Sequence, residues 1–226
     1  MIKIRIKFTK EAPIRFISHL DLARTIERAL RRAQIPVNYS EGFTPRMKMA
    51  FGSALAVGVT SSGEYLDLEL DRHVELDGFL EALNRVLPVG ITFTEGVYID
   101  QDTPTLMSII NRAQYILTGD LEHNADLGQA VQSLLDEKIL SVERVRKKRT
   151  RTLNIRPWIF EIDILSKSAK TARLQLLVQT GSHGNVRPEE VAEYLPFLEN
   201  SLQVHRQGLF IARNSSLSSP LEVAHC

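Results

Sequence analysis

Apolar and charged side chains alternate from the start of the chain, since residues 2–8 (IKIRIKF) carry isoleucine or phenylalanine at every second position. This period of two predicts a strand with one buried face. From Leu20 to about Ala33 the apolar residues recur every three or four positions, which predicts the buried stripe of a helix that Pro36 limits. A second stripe of this helix consists of four arginines: Arg24, Arg28, Arg31 and Arg32.

The rest of the first half continues the pattern. Residues 49–59 and 64–70 are predicted to form a hairpin around a turn at 60–63 (TSSG). Leucines at helical spacing predict a helix from Leu76 to Leu87, and residues 91–99 predict a strand. The resulting order, β-α-β-β-α-β, is that of a ferredoxin-like sandwich.

A similar order of elements is predicted after residue 103, without a residue-level repeat. The predicted elements are strand 114–118, helix 126–137, a long basic strand 140–165, strand 172–180, a helix from Pro188 and strand 204–212. We therefore predict an α+β protein of two ferredoxin-like (βαββαβ) units in tandem. Their boundaries are 1–103 and 104–213, and a flexible tail at 214–226 follows.

The net charge of +1 hides an uneven distribution. Residues 1–48 contain 11 Lys/Arg and 4 Asp/Glu, and residues 144–156 contain 7 and none, so each segment carries +7. Residues 49–143 contain 4 Lys/Arg and 16 Asp/Glu, or −12. Segregation of this kind creates local fields that the net charge conceals. We predict that the two basic segments form one binding surface.

The second basic segment supplies five candidate nucleic-acid contacts: Lys147, Lys148, Arg149, Arg151 and Arg156. Cations this dense repel one another unless they are solvated or bound to an anion, and a phosphate backbone is such an anion. The other interpretation is an exposed loop or an edge strand protected by charge.

The loop after the arginine helix reads YSEGFTP from Tyr39 to Pro45, and Arg46 and Lys48 follow it. Tyr39 and Phe43 could stack on bases, with the two cations meeting phosphates. Alternatively, the aromatic rings pack within the loop, and the arginines of the preceding helix form a solvated face.

Catalytic and metal-binding signatures are missing from the sequence. It contains no GxSxG elbow, P-loop or Rossmann fingerprint, and its six histidines lack HExxH or HxH spacing. The one cysteine allows no internal disulfide and fits a cytoplasmic protein. No apolar run is long enough to span a membrane. We expect no metal and no cofactor, and His19 is the candidate general base if the protein is a catalyst.

Four motifs resemble a bacterial family called radical-SAM-linked proteins, whose members have no assigned function. The motifs are RFISHLD at 15–21, YSEGFTP at 39–45, ALAVG at 54–58 and SGEY at 62–65, and a weaker similarity extends to NIRP at 154–157. The sequence departs from the family pattern at Met47, where a second proline is expected, and at Asn154, where an acid is expected. The resemblance implies a radical SAM partner protein and RNA-related work. A more distant likeness, at the level of the fold, is to the CRISPR repeat-processing proteins.

Three hypotheses follow. The first is an RNA-binding or substrate-presenting module, not catalytic by itself, that works with a radical SAM partner. The second is a metal-independent ribonuclease in which His19 is the general base. The third is an adaptor that binds protein through the acidic middle segment.

Overall fold

The computed structural model describes residues 2–146, 149–198, 201–214 and 216–222. The fold class is α+β, as predicted. Backbone proximity divides the chain into two compact units. Unit 1 comprises residues 1–111 together with 206–226, and unit 2 comprises residues 112–205.

Unit 1 contains a ferredoxin-like βαββαβ sandwich. Its antiparallel strands lie in the order β4-β1-β3, and β2 also pairs with β3. The prediction for the first half is therefore confirmed. The elements are β1 (Ile2–Lys10), α1 (His19–Arg32), β2 (Met49–Phe51), β3 (Thr60–Leu70), α2 (Leu76–Val86), β4 (Ile91–Ile99) and α3 (Leu106–Ile109).

The core of unit 1 lies between the sheet and the two long helices. Ile4 and Ile6 of β1 lie opposite Leu68 and Leu66 of β3, and all four are buried. Each fully buried aliphatic side chain of this kind contributes about 1.5–3 kcal/mol. The helices bury one stripe each against these strands, formed by Leu22, Ile26, Leu30, Phe79 and Leu83.

The opposite face of β1 departs from the prediction of a single buried face, because Arg5 is also buried. Its guanidinium donates to Asp67 at 2.8 and 2.9 Å and to the carbonyls of Pro104 and Pro220 at 3.1 and 3.2 Å. A buried guanidinium is tolerated only when its donors are satisfied, and four acceptors satisfy this one.

Two predicted local features of unit 1 differ from the structure. The segment 60–63 is not a turn but the start of β3. A Cβ on Gly63 would lie 3.0 Å from the Cα of Gly208, so the glycine serves a close backbone approach. Residues 216–222 are not a loose tail, because Ser216–Ser218 (β11) pairs with a preceding strand and Leu221 is buried.

The chain order β-α-β-β-α-β recurs from residue 112 to residue 213, with a separate hairpin inserted after the first helix. The antiparallel strands β5, β9 and β8 lie side by side in that order, and β6 and β7 form their own two-stranded sheet. The elements are β5 (Arg112–Asp120), α4 (Leu127–Asp136), β6 (Ser141–Arg146), β7 (Arg149–Asn154), β8 (Ile159–Lys167), β9 (Thr171–Gln179), α5 (Pro188–Ala192) and β10 (Gln203–Arg213), whose residues from 206 onward belong to unit 1.

The prediction of one long strand over 140–165 is wrong. Pro157 lies in a short 3-10 helix, Arg156–Trp158, which separates β7 from β8. Proline has no N–H to donate to a strand neighbour, so a strand cannot run through this point unchanged. The two compact units also divide at other residues than 103 and 213, and the predicted domain boundaries remain predictions.

Candidate nucleic-acid interface

Helix α1 is a rigid support for its arginines. Ser18 caps it, since the Ser18 Oγ accepts from the N–H of Asp21 at 3.2 Å and donates to the Asp21 carboxylate at 2.7 Å. The helix ends at Arg32, and Gln34 takes a left-handed conformation with φ of 54°. The predicted helix is therefore confirmed to within a residue at each end.

The four arginines of α1 are exposed but not equivalent. Arg24 lies 3.8 Å from Asp21, a weak surface ion pair, and Arg28 donates to the hydroxyl of Thr25 at 3.3 Å. Arg32 donates to the carbonyl of Val86 at the end of α2, at 3.2 Å. Arg31 makes no side-chain hydrogen bond or ion pair within the described residues.

The loop from Tyr39 to Met47 is closed by a β-bridge between those two residues. The Ser40 Oγ accepts from the N–H of Arg46 at 3.0 Å, and Gly42 has φ of 115°, a conformation that favours glycine. The ring of Phe43, at the tip, has a relative exposure of 110%. Among the described residues the ring has no packing partner, so the alternative of loop packing fails for this residue.

The cations that follow the loop have different surroundings. Arg46 is exposed. The Lys48 ammonium lies 3.1 Å from the Glu69 carboxylate, at the edge of a cleft of about 240 Å³. A phosphate would therefore compete with Glu69 for Lys48.

His19 is the first residue of α1, and its ring packs edge-on against Phe51 with centroids 4.9 Å apart. The segment that precedes His19 is fixed by Lys10, whose buried ammonium donates to the carbonyls of Arg15 and Ile17 at 3.0 and 3.3 Å. Burial lowers the pKa of Lys10 from its ordinary value, while the nearby Glu64 carboxylate opposes that shift.

A buried ion pair that the sequence did not predict lies beside Lys10. The Arg206 Nε donates to Glu64 at 2.7 Å, its second nitrogen donates to the other carboxylate oxygen, and it also reaches the Ser53 carbonyl at 3.4 Å. The side chains of Arg206 and Glu64 are only 2% and 4% exposed. The two residues are 142 positions apart, so no local pattern could have paired them.

In unit 2 the hairpin β6–β7 presents the second basic segment. Arg149 and Arg151 are exposed, and neither makes a side-chain hydrogen bond or ion pair within the described residues. Arg144 is committed, because it donates twice to the Glu190 carboxylate at 2.6 Å and once to the Asn185 carbonyl at 2.6 Å. Lys147 and Lys148, the two candidates between the strands, lie outside the described residues.

Arg156 has an internal role. Its guanidinium donates to the carbonyl of Leu135 at 2.7 and 3.2 Å and to that of Ile159 at 2.9 Å. Leu135 belongs to the last turn of α4, where carbonyls lack helical partners and a cation stabilises the helix end. A phosphate would have to displace these three bonds to bind Arg156.

Two absences concern the part of the chain that the structure describes. No helix there is both long and apolar enough to cross a membrane. No three side chains among its histidines, aspartates, glutamates and cysteines lie close enough to hold a metal ion.

Solved structures similar to this chain are distant from it. A Cbf5–Nop10–Gar1 complex matches with 13% identity, a TM-score of 0.45, and coverage of 93% of this chain and 48% of that one. The archaeal box H/ACA sRNP Nop10–Cbf5 complex matches with 14% identity, a TM-score of 0.44, and coverage of 96% of this chain and 48% of that one. The chain thus spans about half the length of these proteins. A RAMP protein that binds different RNA substrates matches with 8% identity, a TM-score of 0.25, and coverage of 94% of this chain and 100% of that one.

No curated protein matches the sequence. A family model does match, over residues 3–188, which is most of the chain. The chain therefore belongs to the family described as "Uncharacterized protein conserved in bacteria (DUF2344)".

Proposed function

We propose that this protein is a cytoplasmic RNA-binding module whose unit 1 holds a single-stranded segment of RNA. The exposed arginines of α1 meet phosphates, and the rings of Tyr39 and Phe43 stack on bases. Arginine suits this task because its planar guanidinium can donate two hydrogen bonds to a phosphate and keeps its charge at all relevant pH values.

The observation that carries the proposal is the exposure of Phe43. A phenylalanine left in water forgoes about 1.5–3 kcal/mol of burial, yet this ring projects from a loop tip whose backbone is closed and turned by a glycine. Stacking on a base would recover about 1–3 kcal/mol, and any base can serve because each has a flat π-face.

The test is a titration of a fluorescent single-stranded 12-nucleotide RNA with the wild-type protein and three variants at position 43. Phe43→Ala and Phe43→Leu should each weaken binding by about 5- to 150-fold, since both remove the stacking surface. Phe43→Trp should retain the affinity of the wild type. Leucine is the informative control because it keeps an apolar side chain without a ring.

Two results would contradict the proposal. One is wild-type protein that does not bind the RNA at 50 mM salt, where phosphate contacts are strong. The other is equal affinity of the phenylalanine, leucine and alanine proteins.

We also propose that the bound RNA is presented to a partner protein of the radical SAM class. Two motifs of the resemblance support this, because RFISHLD at 15–21 leads into the arginine helix and YSEGFTP at 39–45 forms the aromatic loop. In cells, Phe43→Ala should lower the abundance of one modified nucleoside, measured by mass spectrometry of total RNA, to the level found without the protein. If the nucleoside profiles of the Phe43→Ala strain and of the strain without the protein both equal that of the wild type, the radical SAM partner is removed from the proposal.

A further inference from the structure

The hairpin β6–β7, residues 141–154, is called here the ribbon. Its two strands are hydrogen-bonded to each other from Ser141↔Asn154 to Arg146↔Arg149, and within the described residues neither strand pairs with any other strand. A two-stranded ribbon with no place in the main sheet needs another reason to be ordered.

The base of the ribbon is fixed to unit 2. Val142 is buried, and the Tyr194 hydroxyl donates to the Ser141 carbonyl at 2.8 Å. The Asn154 side chain accepts from the Leu140 N–H at 2.9 Å and donates to the Lys138 carbonyl at 3.1 Å. This base holds the exposed residues 149–152 in a set position, so they lose little freedom on binding.

The register sorts the ribbon's residues onto two different faces. Arg144 lies opposite Arg151, and Arg149 is two positions from Arg151, so these three arginines share one face. The other face carries Glu143 opposite Thr152 and Val145 opposite Thr150. One face is cationic, and the acid of the ribbon lies on the other.

The cationic face is unfavourable without an anion, because like charges directly opposite each other destabilise a strand pair. Glu190 neutralises Arg144, which also ties the base of this face to α5. Arg149 and Arg151 have no such acid within the described residues. They are about 6–7 Å apart along the strand, and together they form a row of guanidinium groups open to solvent.

We propose that this face binds the phosphate backbone of a paired, A-form region of RNA. The inference rests on the proposed function for its choice of RNA. Residues 141–154 contain no aromatic residue, so the ribbon has no platform on which unpaired bases could stack. The major groove of A-form RNA is too deep and narrow for its base edges to be read, and proteins recognise such duplexes largely through phosphates and shape. Unit 1 and the ribbon thus take different parts of an RNA with a stem and a single-stranded tail.

The experiment compares three probes of equal length: a blunt 16-base-pair RNA hairpin, a single-stranded RNA in which one arm of the stem is changed so that it no longer pairs, and the DNA hairpin of the same sequence as the RNA hairpin. Two variants test the face. The first is R149A/R151A. The second is R149T/T150R/R151T/T152R, which keeps composition and net charge but moves both arginines to the opposite face.

Wild-type protein should bind the RNA hairpin with a strong salt dependence. R149A/R151A should weaken this binding at least 10-fold and reduce the log–log salt slope by roughly 1.8, about 0.9 for each lost phosphate contact. The face-exchanged variant should lose as much, and both variants should bind the single strand within about twofold of wild type. Because all four positions are exposed, both variants should unfold at the denaturant concentration of the wild type.

Each remaining outcome overturns a stated part. Wild-type affinity of the face-exchanged variant for the RNA hairpin overturns the cationic face. Binding of the single strand but not of the hairpin overturns the ribbon's ligand and leaves the proposed function standing. Absence of binding to all probes overturns both. Equal affinity for the DNA hairpin overturns the assignment to RNA.

Discussion

The aromatic loop of unit 1, residues 39–47, and the ribbon of unit 2 both carry exposed side chains, yet those side chains differ in chemistry. The loop presents the ring of Phe43 and is followed by cations, whereas the ribbon presents Arg149 and Arg151 without any aromatic side chain. A loop with rings suits unpaired bases, and a ribbon of guanidinium groups suits phosphates. The contrast teaches that a basic charge count describes affinity for nucleic acid but not which form of it is bound.

Each of the two units also contains an arginine–glutamate ion pair, and the two pairs differ in burial. Arg206–Glu64 in unit 1 is buried and lies beside Lys10, while Arg144–Glu190 in unit 2 is partly open to solvent. Removing one partner costs more where water cannot replace it. The following predictions test this ranking first and the two surfaces afterwards.

The largest effect is expected from Glu64→Ala. It leaves the Arg206 guanidinium buried next to the Lys10 ammonium, which should lower the free energy of unfolding by about 3–5 kcal/mol. Urea denaturation followed by circular dichroism measures it. Glu95→Ala is the control, because Glu95 forms an exposed pair with Lys7 in the same unit and should cost less than about 1 kcal/mol. Equal costs would show that burial does not distinguish the pairs.

A smaller loss is expected from Glu190→Ala, about 1.5–3 kcal/mol, because charge-assisted hydrogen bonds to Arg144 and to the N–H of Arg187 are lost together. Relative to wild type, the variant should show faster amide hydrogen exchange in the ribbon and unchanged exchange in β1–β4. Protection that is unchanged in residues 141–154 would mean that the Arg144 pair does not hold the ribbon.

The next effect concerns binding. R28A/R31A should reduce the log–log salt slope for single-stranded RNA by roughly 1.4, about 0.7 for each contact. If the affinities converge at 1 M salt, this amounts to about 25-fold at 0.1 M. Arg85→Ala, which removes an exposed cation from α2, is the control. An unchanged slope would leave the arginine stripe as a solvated face.

R28A/R31A also tests the prediction that the two basic segments form one surface, since α1 lies in unit 1 and the ribbon in unit 2. R28A/R31A and R149A/R151A should each weaken binding of the same short RNA with a stem and a tail, if both sets contact it at once. Losses confined to one of the two sets would speak against a shared surface.

The smallest effect on affinity is expected from His19→Ala, less than about twofold, because one imidazole adds little to phosphate binding at pH 7. The same variant decides the ribonuclease alternative. If wild-type protein cleaves RNA, loss of a general base should slow cleavage by about 10²–10⁴-fold. Gel analysis of end-labelled RNA measures this, and cleavage at an undiminished rate in the variant would exclude His19 from the chemistry.

Local periodicity predicted most elements of this fold. The strand over 91–99 agrees with the structure to the residue, and α1 agrees to within one residue at each end. These segments succeed because each has one face against a core, so burial imprints its period on the sequence. Errors arose where a partner distant in sequence matters. The sequence predicted a turn that includes Gly63, but this residue lies in β3, where the backbone of Gly208 approaches it closely.

The sequence predicted which cations belong to the candidate site, but not which of them form hydrogen bonds within their own unit. Sequence treated Arg144, Arg149, Arg151 and Arg156 as equivalent members of a basic run. The structure separates them, because Arg144 and Arg156 satisfy an acid and carbonyls of their own unit whereas Arg149 and Arg151 do not. Arg156 binds the carbonyl of Leu135, 21 positions away, and Arg144 binds the carboxylate of Glu190, 46 positions away. The spacing of the arginines in the sequence does not indicate these partners.

Arg5 gives unit 1 an unusual relation to time. Its guanidinium is translated long before one of its acceptors, the Pro220 carbonyl, which lies 215 residues later. At bacterial rates of about 5–20 residues per second, the ribosome needs roughly 10–40 s to cover that distance. Glu64 likewise waits for Arg206, which follows 142 residues later. Unit 1 therefore gains these two buried contacts only after the residues of unit 2 have been translated.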